Sequence, residues 1–406
     1  MKKLLWVGDA ACPSGFAQVT HHVLNHLCKQ WDVAVLGMNY RGDPHEYSYP
    51  IYAAGPGGDA FGVGRLLWVM DTVLPDVLVI QQDPWNLPLY FKILEQAPEY
   101  KAVPIVGVVP VDGLNCAGAR MNKLSLAIFW TEFAEREARR GGYTGLSHII
   151  PLGVDTDVYT KKDKGASRLA ARWPEVVDGV PRDDMFVVGV VGRNQYRKRL
   201  DLTIKYFAKW IKNCNINNAW LYLHVGPTGD EGVDVIQLAS YYGIKDRVML
   251  MEPPVFYGIS EGDMTTTYNC FDVFLSTTQG EGWGLRAMEA MACGVPCILP
   301  DWSAYGEWAR GVAHLVLCSS TAITALGIVS AGTMRAPAPC VIGGVPDEEA
   351  MVGALNAFYR SSLGRGHRSA MGRALAEKPQ YRWENIAAYY DVALREVVED
   401  KEVRSA

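Results

Sequence analysis

The sequence predicts an α/β protein made of two doubly wound, Rossmann-like domains, and two observations carry this prediction. Short apolar runs alternate with helical patterns in two successive series, the first opening with LLWVG and the second with MFVVGVVG. Strands that are apolar throughout, each followed by a helix, are typical of parallel sheets covered on both faces. In addition, 406 residues exceed one ordinary core and fit two domains.

The two series set the domain boundary. The first contains the strand patterns LLWVG, WDVAVLGM, DVLVIQQ, VPIVGVVPVD and LSLAIFW, and the second runs from MFVVGVVG through AWLYLHVG, RVMLM, CFDVFLST and CILPD. We place the boundary near Asp155, with an N-terminal domain over residues 1–155 and a C-terminal domain over residues 156–381. Ligands of such sheets bind at the carboxyl ends of the strands, so a cleft between two facing domains is the expected site.

Composition describes an ordinary globular protein. Hydrophobic residues make up 49% and charged residues 20% of the chain, and the net charge of −5 does not indicate a globally basic nucleic-acid binder. No apolar run reaches the ~20 residues of a membrane span. Gly8 and Asp9 end the first apolar stretch too early for a signal peptide. The nine cysteines form no CxxC pair, which favours reduced thiols and a cytoplasmic location.

The most informative segment is EGWGLRAMEAMACGVP, residues 281–296. The preceding VFLSTT is typical of a buried strand, and LRAMEAMAC has helix-forming composition until Gly294 and Pro296 end it. A strand, a tight turn and a helix N-terminus leave unpaired backbone N–H groups that bind anionic or hydroxyl oxygens. The residues expected to supply these groups are Gly282, Trp283, Gly284 and Leu285. Glu281 and Glu289 stand eight residues apart around this turn, so they are expected to serve different groups.

Fixed positive charge follows the first strand of the second series. Arg193 and Lys198 come after VVGVVG, at the end where a parallel sheet binds ligands. Both are expected to reach a diphosphate and to stabilise the charge that builds on a leaving phosphate. Arg197 and Arg199 are interpreted as parts of a solvated basic turn.

These motifs, in their order along the chain, resemble the retaining GT-B glycosyltransferases of family 4. The two glutamates around GWG resemble the family's signature, VVGVVGRNQYRKRLD resembles its segment with Gly-Arg and a lysine, and HIIPLGVDTDVYT resembles its interdomain segment. The final RWENIAAYYDVALREV resembles its closing helix, which implies that residues 382–406 pack back on the N-terminal domain. SGFAQVTHHVL and DWSAYGEWARG further resemble a bacteriophage-type branch.

The resemblance implies roles for individual residues. Arg193 and Lys198 stand where the family binds the donor diphosphate. Glu281 stands where the family contacts sugar hydroxyls near the reacting carbon, and Glu289 where it binds both ribose hydroxyls. The loop DAACPSGFAQ resembles the N-terminal glycine loop of the family, although a serine replaces one of the usual glycines, and this implies that Gly15 contacts the donor phosphate.

The acceptor side offers two aspartates. Asp112 follows VPIVGVVPV, where many relatives have a histidine or an acid, and it is favoured to position or deprotonate an acceptor hydroxyl. Asp83 in QQDPWN, at the preceding strand end, competes for this role. The irregular residues 41–64 are either an ordinary loop or an acceptor-recognition loop. The expected catalytic residues are Asp112, Glu281, Arg193 and Lys198.

No metal ion and no cofactor are expected, and the nucleotide-sugar donor is a substrate. Asp155 and Asp157 form the DxD pattern with which another glycosyltransferase architecture holds a divalent ion, but here they lie in the interdomain segment. His21, His22 and His26 are spaced to share a helix face in pairs, yet no further ligand accompanies them. Cationic side chains and helix N-termini are expected to supply the positive charge instead.

The resemblance implies transfer of a sugar from a nucleotide-sugar, with a UDP-hexose favoured, and with retention at the anomeric carbon. The acceptor stays open between a small-molecule, polysaccharide or lipid-linked glycan and, as in the bacteriophage-type branch, a hydroxymethylated DNA base or a virion protein. Net negative charge disfavours DNA, whereas Tyr47, Tyr49, Tyr52 and Trp85 are candidates to stack on a flipped base. A sugar-nucleotide epimerase or a non-catalytic nucleotide-sugar-binding protein is the alternative. The sequence does not specify an oligomeric state, and a bacteriophage origin would imply the host cytoplasm.

Overall fold

The computed structural model describes residues 1–55, 59–225, 232–251, 258–324, 328–331, 334–337 and 340–405. The chain folds as two compact units. Unit 1 contains Met1–Gly153, Ala325–Val341 and Trp383–Ala406, and unit 2 contains Val154–Thr324 and Ile342–Arg382. The chain therefore passes from unit 1 to unit 2 between Gly153 and Val154 and ends in unit 1.

The strands fall into two large sheets and two small ribbons. They are β1 (Lys3–Asp9), β2 (Asp32–Met38), β3 (Ile51–Ala53), β4 (Val77–Gln81), β5 (Ile105–Val108), β6 (Leu126–Phe129), β7 (Ser147–Ile149), β8 (Val176–Val177), β9 (Val180–Pro181), β10 (Phe186–Val191), β11 (Ala219–His224), β12 (Val248–Met251), β13 (Val273–Leu275), β14 (Cys297–Asp301), β15 (His314–Ile323), β16 (Ile328–Ala331), β17 (Met334–Pro337) and β18 (Ile342–Pro346).

The helices alternate with these strands. They are α1 (Gly15–Leu27), α2 (Leu66–Val73), α3 (Leu87–Leu94), α4 (Glu132–Arg140), α5 (Lys164–Ala170), α6 (Leu200–Asn213), α7 (Val235–Tyr241), α8 (Glu261–Asn269), α9 (Leu285–Ala292), α10 (Ser303–Trp308), α11 (Glu348–Arg360), α12 (Ser362–Ala376) and α13 (Trp383–Ser405). Within the described ranges, no helix combines the length and the apolar character needed to cross a membrane.

The unit 1 sheet has seven strands in the order β3-β2-β1-β4-β5-β6-β7, and all neighbours are parallel. Its central strands are buried throughout because their side chains are apolar on both faces; Leu5, Val7 and Ile80 are 0% exposed. The last helix, α13, packs on α1. Nε1 of Trp31, which follows α1, donates to Oδ1 of Asp391 in α13 at 2.7 Å. The last helix of the chain therefore belongs to unit 1.

The unit 2 sheet has the order β12-β11-β10-β13-β14-β15-β18. Its neighbours are parallel except for β18, which runs antiparallel to β15. Val188, Leu221 and Val273 from its central strands are 0% exposed, and they pack with α6, α7 and α11 in one core. Two parallel, doubly wound sheets confirm the predicted α/β class.

Candidate functional site

The candidate site lies at the carboxyl edge of the unit 2 sheet. β10 ends at Val191 and β13 ends at Leu275, and the two strands are parallel neighbours. Because parallel strands end at the same edge of a sheet, the segments that follow them meet there. Residues 193–198 follow β10, and residues 279–289 follow β13. Two separate predicted motifs therefore meet at one edge of the unit 2 sheet.

Two cations after β10 hold Glu281. Nζ of Lys198 forms an ion pair with Oε1 of Glu281, and Nη1 of Arg197 lies 3.2 Å from Oε2. Arg197 also donates to the carbonyl of Gly280 at 2.7 Å, and the N–H of Glu281 donates to Oγ of Ser303 at 3.0 Å. The side chains of Glu281 and Lys198 are 10% and 20% exposed. We call Arg197, Lys198 and Glu281 the Lys198 cluster.

The charges of the Lys198 cluster follow from burial and from one another. Burial alone would raise the pKa of Glu281, but Lys198 and Arg197 outweigh it and lower the pKa to about 2. Burial is also the largest effect on Lys198 and lowers its pKa to about 8, with Glu281 opposing the shift and Arg197 and Arg286 adding to it. At neutral pH Glu281 is therefore ionised and Lys198 is protonated. Two positive charges and one negative charge leave a cationic cluster, which suits an anion.

The turn before α9 requires glycine. Gly284, the N-cap of α9, has a φ of 93°, and a Cβ there would stand 2.3 Å from the ring of Tyr305. The carbonyl of Trp283 accepts from Nε1 of Trp308 at 2.8 Å, and the two rings stack with centroids 5.6 Å apart. The other residues predicted for this turn are buried as well: Gly282 and Leu285. This packing fixes the N-terminus of α9 at the sheet edge.

Glu289 lies in α9 and is 1% exposed. Nη1 of Arg286 lies 2.9 Å from each of its carboxylate oxygens, and Oη of Tyr268 donates to Oε2 at 2.6 Å. A carboxylate in an apolar helix requires such partners, because an unpaired buried charge is strongly destabilising. The contact of Glu289 with ribose hydroxyls stays a prediction.

The residues around Glu289 have raised pKa values. Burial alone would lower the pKa of Arg286, but the charge of Glu289 outweighs it and raises the pKa above its usual value. Burial, followed by Glu289, raises the pKa of Tyr268 well above its usual value. The ring of Tyr159 meets that of Tyr268 edge-on at 6.1 Å, and burial raises its pKa as well. Both tyrosines therefore stay protonated, and Tyr268 remains a hydrogen-bond donor to the carboxylate.

Arg193, the other residue predicted to bind a diphosphate, is exposed after the end of β10. Its neighbour Asn194 is buried, donates to the carbonyl of Val233 at 2.7 Å and accepts from the N–H of Val233 at 3.1 Å. This anchor holds the loop at the sheet edge. A role for Arg193 in diphosphate binding stays a prediction.

Gly15 is the first residue of α1 and belongs to unit 1. Oγ of Ser14 caps this helix by accepting the N–H of Ala17 at 3.0 Å, and it donates to Oδ2 of Asp9 at 2.5 Å. Nδ2 of Asn39 donates to the other oxygen of Asp9 at 2.9 Å. A carboxylate beside this loop works against phosphate binding. The contact of Gly15 with the donor phosphate stays a prediction.

Asp112 and Asp83 lie beyond neighbouring strands of unit 1. β4 ends at Gln81 and β5 ends at Val108, and the two strands are parallel, so both half-buried aspartates follow the same sheet edge. The N–H of Asp83 donates to Oε1 of Gln82 at 2.9 Å, which fixes the backbone of its turn. The choice between the two aspartates as the acceptor residue stays open.

The DxD pattern forms a turn. Oδ1 of Asp155 accepts from the N–H of Asp157 at 2.9 Å and from the N–H of Val158 at 3.1 Å. Aspartate commonly stabilises turns in this way, so the pattern has a structural explanation. In the part of the chain that the structure describes, no group of three or more His, Cys, Asp or Glu side chains is arranged to hold a metal ion.

The aromatic residues of segment 41–64 pack within unit 1. The ring of Tyr47 stacks on that of His21 with centroids 3.6 Å apart, and Nδ1 of His21 lies 2.7 Å from Oη of Tyr49. Residues 56–58 of the segment lie outside the described residues. Its role as an acceptor-recognition loop stays a prediction.

Sequence reasoning missed three residues of the site. Arg197, interpreted as solvated, is 27% exposed and bound to Glu281, so that interpretation is wrong. It is wrong for Arg199 too, which is 14% exposed and bound to Asp201. The others missed are Tyr268 and Arg286, the partners of Glu289. Only Arg286 left a signal, because a cation three residues before a glutamate on a helix shares its face.

Comparison with known proteins shows which proteins this chain resembles. Residues 173–326 match the family model of the glycosyl transferases group 1, a stretch that includes the Lys198 cluster and Glu289. D-inositol 3-phosphate glycosyltransferases of Mycobacterium tuberculosis and Mycobacterium bovis are 26% identical to this chain over 266 residues, which is 59% of this chain and 52% of those proteins. The chain thus spans about half the length of the curated relatives it matches.

Solved structures show the same fold. Sucrose-phosphate synthase of Thermosynechococcus elongatus superimposes with a TM-score of 0.74 at 17% identity, covering 98% of this chain and 100% of that one. HepE of Anabaena, solved in complex with UDP and glucose, gives a TM-score of 0.69 at 15% identity over the same shares. The predicted GT-B fold is confirmed. The assignments to family 4 and to a bacteriophage-type branch stay predictions.

Proposed function

We propose that this chain, whose residues 173–326 match the glycosyl transferases group 1, is a GT-B glycosyltransferase that moves a hexose from a UDP-sugar to an acceptor hydroxyl with retention, as family 4 enzymes do. The observation that carries the proposal is the Lys198 cluster at the carboxyl edge of the unit 2 sheet. It combines a net positive charge with a carboxylate that is ionised at neutral pH.

The donor side is proposed to bind through charge and through the start of α9. Lys198 and Arg193 would contact the diphosphate through charge-assisted hydrogen bonds, and the partial withdrawal of Lys198 from water would strengthen its contact. Gly282 to Leu285 would direct backbone N–H groups to the same anion. Glu281 would accept hydrogen bonds from sugar hydroxyls, and Glu289 would serve the ribose. Gly15 of unit 1 would add a phosphate contact.

The proposed reaction exchanges one bond at the anomeric carbon. The bond to the diphosphate oxygen breaks, and the acceptor oxygen bonds to the same face of the sugar. The acceptor proton passes to the leaving phosphate, and Lys198 stabilises the charge that develops there. Asp112 would orient the acceptor hydroxyl. No metal ion is proposed, and chelation with EDTA should leave the rate unchanged.

The proposed donor is a uridine nucleotide-sugar, and the proposed acceptor is one of two classes of molecule. HepE is described in complex with UDP and glucose, which supports a uridine nucleotide donor. For the acceptor, a hydroxymethylated DNA base and a glycan are the two candidates. A location in the cytoplasm belongs to the same proposal.

The test is nucleotide release from UDP-, GDP- and ADP-hexoses, with and without DNA that contains 5-hydroxymethylcytosine, followed by mass analysis of the DNA. Release from a UDP-hexose with a hexose-sized mass gain would identify a DNA-modifying enzyme. Release with unmodified DNA would direct the search to glycan acceptors. Conversion of the donor into a sugar isomer would instead indicate an epimerase, and binding without turnover would indicate a non-catalytic protein.

Stereochemistry and the role of Glu289 are tested separately. NMR of the product should show the donor's anomeric configuration, and an inverted product would contradict retention. Glu289→Ala should weaken donor binding more than it changes acceptor choice, because the proposed contact is with the nucleotide. Equal donor affinity in the wild type and this variant would remove the assignment.

A further inference from the structure

Arg286 is a partly buried cation to which the proposed function assigns no role. Its side chain is 29% exposed, whereas its partner Glu289 is 1% exposed. A single nitrogen, Nη1, makes both contacts with the carboxylate. A guanidinium carries five N–H donors, so this pair leaves those on Nε and Nη2 available. Among the described residues, neither of these two nitrogens has a hydrogen-bond acceptor.

Arg286 also lies in the electrostatic surroundings of the Lys198 cluster. It follows Leu285 in the first turn of α9, at the sheet edge. Its charge adds to the effects of burial and of Arg197 in lowering the pKa of Lys198. It also adds to burial in lowering the pKa of His224, the last residue of β11, to about 4. Arg286 therefore lies within electrostatic range of Lys198, one of the residues assigned to the diphosphate.

We propose that Arg286 binds the donor diphosphate through Nε and Nη2, and that Glu289 positions it through Nη1. This inference rests on the proposed function. An ion pair confined to one nitrogen restrains the side chain and leaves the other edge of the planar fork for two parallel hydrogen bonds to phosphate oxygens. Glu289 thus acts on the donor through Arg286, in addition to any contact of its own with the ribose.

The charge balance agrees with this assignment. Glu289 neutralises Arg286 within the protein, so the cost of holding a cation at the edge of an apolar helix is small before the donor binds. Tyr268 adds a second partner by donating to Oε2 of the same carboxylate. Lysine could not replace this arrangement, because its single ammonium cannot bind a carboxylate on one side and offer a flat pair of donors on the other.

The test compares UDP with uridine by isothermal titration calorimetry. Arg286→Met should weaken UDP about ten-fold or more, because it removes charge-assisted hydrogen bonds to phosphate. Uridine, which has no phosphate, should bind Arg286→Met as it binds the wild type. Equal weakening of both ligands, or undiminished UDP affinity, would overturn the proposal.

Glu289→Gln tests the positioning role. It keeps an acceptor for Tyr268 but lacks the charge that holds Arg286, so UDP should bind more weakly. The same change should cost less UDP affinity in the Arg286→Met background than in the wild type, because only the direct contact of Glu289 with the ribose remains to be lost. Additive losses would mean that the two residues act independently, which contradicts the proposal.

Two further variants distinguish a loss of phosphate binding from a loss of folding. Arg373 is 24% exposed, forms an ion pair with Glu377 and donates to the carbonyl of Ala292 at the other end of α9. Arg373→Met should leave UDP affinity unchanged, and a loss equal to that of Arg286→Met would assign both effects to α9 packing and overturn the proposal. Arg286→Lys retains the charge, so UDP should bind with intermediate affinity and uridine normally.

The proposed function and this inference fail in different ways. If the wild type binds none of UDP, GDP and ADP, the donor assignment falls, and the inference falls with it. If the wild type binds UDP but Arg286→Met binds it equally well, only the inference falls.

Discussion

The two units end equivalent strands in different ways. In each large sheet we compare the strand beside the first strand of that sheet in chain order, β4 beside β1 and β13 beside β10. β4 ends in the neutral Gln81, whose Oε1 accepts from Oγ1 of Thr20 at 2.7 Å and from Nε1 of Trp6 at 3.4 Å. β13 instead leads to the buried Glu281, which is held by the half-buried cations Lys198 and Arg197.

This difference shows that the sheet plan alone does not create the site. A buried amide whose hydrogen bonds are made by neutral neighbours stabilises the fold but creates little electrostatic field. Buried ions require partners of opposite charge, and they interact strongly with a charged ligand. The same doubly wound scaffold thus carries a neutral network in unit 1 and an ionic one in unit 2. Function depends on the groups placed at the strand ends.

The largest expected effect comes from removing the central cation of unit 2. Lys198→Ala should lower kcat/KM for the UDP-sugar on the order of 10²–10³-fold, because a preorganised charge opposite the leaving group is lost. Steady-state nucleotide release measures this. Lys209, 29% exposed and paired with Glu348, is the matched control, and Lys209→Ala should be as active as the wild type. Similar rates in both variants would refute the role of Lys198.

The stability of the two strand ends should differ in the same sense. Glu281→Leu should destabilise the protein by about 3 kcal/mol or more, because it leaves Lys198 and Arg197 together without their counterion. Gln81→Leu should cost about 1 kcal/mol, since it removes neutral hydrogen bonds. Urea unfolding, followed by fluorescence and circular dichroism, gives both values. Equal costs would remove the distinction between the two networks.

Unit 1 should contribute through the acceptor. Asp112→Asn should slow transfer by about 100-fold while the affinity for UDP stays unchanged, because misplacement of the acceptor hydroxyl affects the chemical step. Asp83→Asn is the matched comparison at the neighbouring strand end. Initial rates of transfer and calorimetry of UDP binding separate the two effects, and a larger loss for Asp83→Asn would reassign the role.

The smallest effect is a pH dependence. The pKa of Lys198 is lowered to about 8, so its charge is complete below that pH and disappears as the pH rises through it. Donor affinity should therefore fall by about ten-fold per pH unit above the pKa at most. Glu281, with a pKa of about 2, stays ionised over this range and contributes no step. Calorimetry across this range should show the fall for the wild type and none for Lys198→Arg, which keeps its charge.

Much of the fold could be predicted from the sequence because the patterns that indicate strands, turns and helices are local. Apolar runs predicted five of the seven strands in each large sheet, and Gly294 and Pro296 predicted the end of α9, which the structure places at Ala292. The pattern of strand, glycine turn and helix also placed Glu281 in the turn after β13 and Glu289 in the helix that follows, as the structure has them. Backbone geometry and hydrophobic patterning act over a few residues, so the sequence records them directly.

Partners across the sheet were decided only by the tertiary structure. Arg197 and Glu281 are 84 residues apart, and Tyr268 and Glu289 are 21 apart, so neither pairing has a local signature. The sequence supplied the residue types and the strand ends that carry them. Which cation meets which carboxylate, and how strongly burial shifts their charges, depends on the distances and the exclusion of water that arise when β10 and β13 lie side by side.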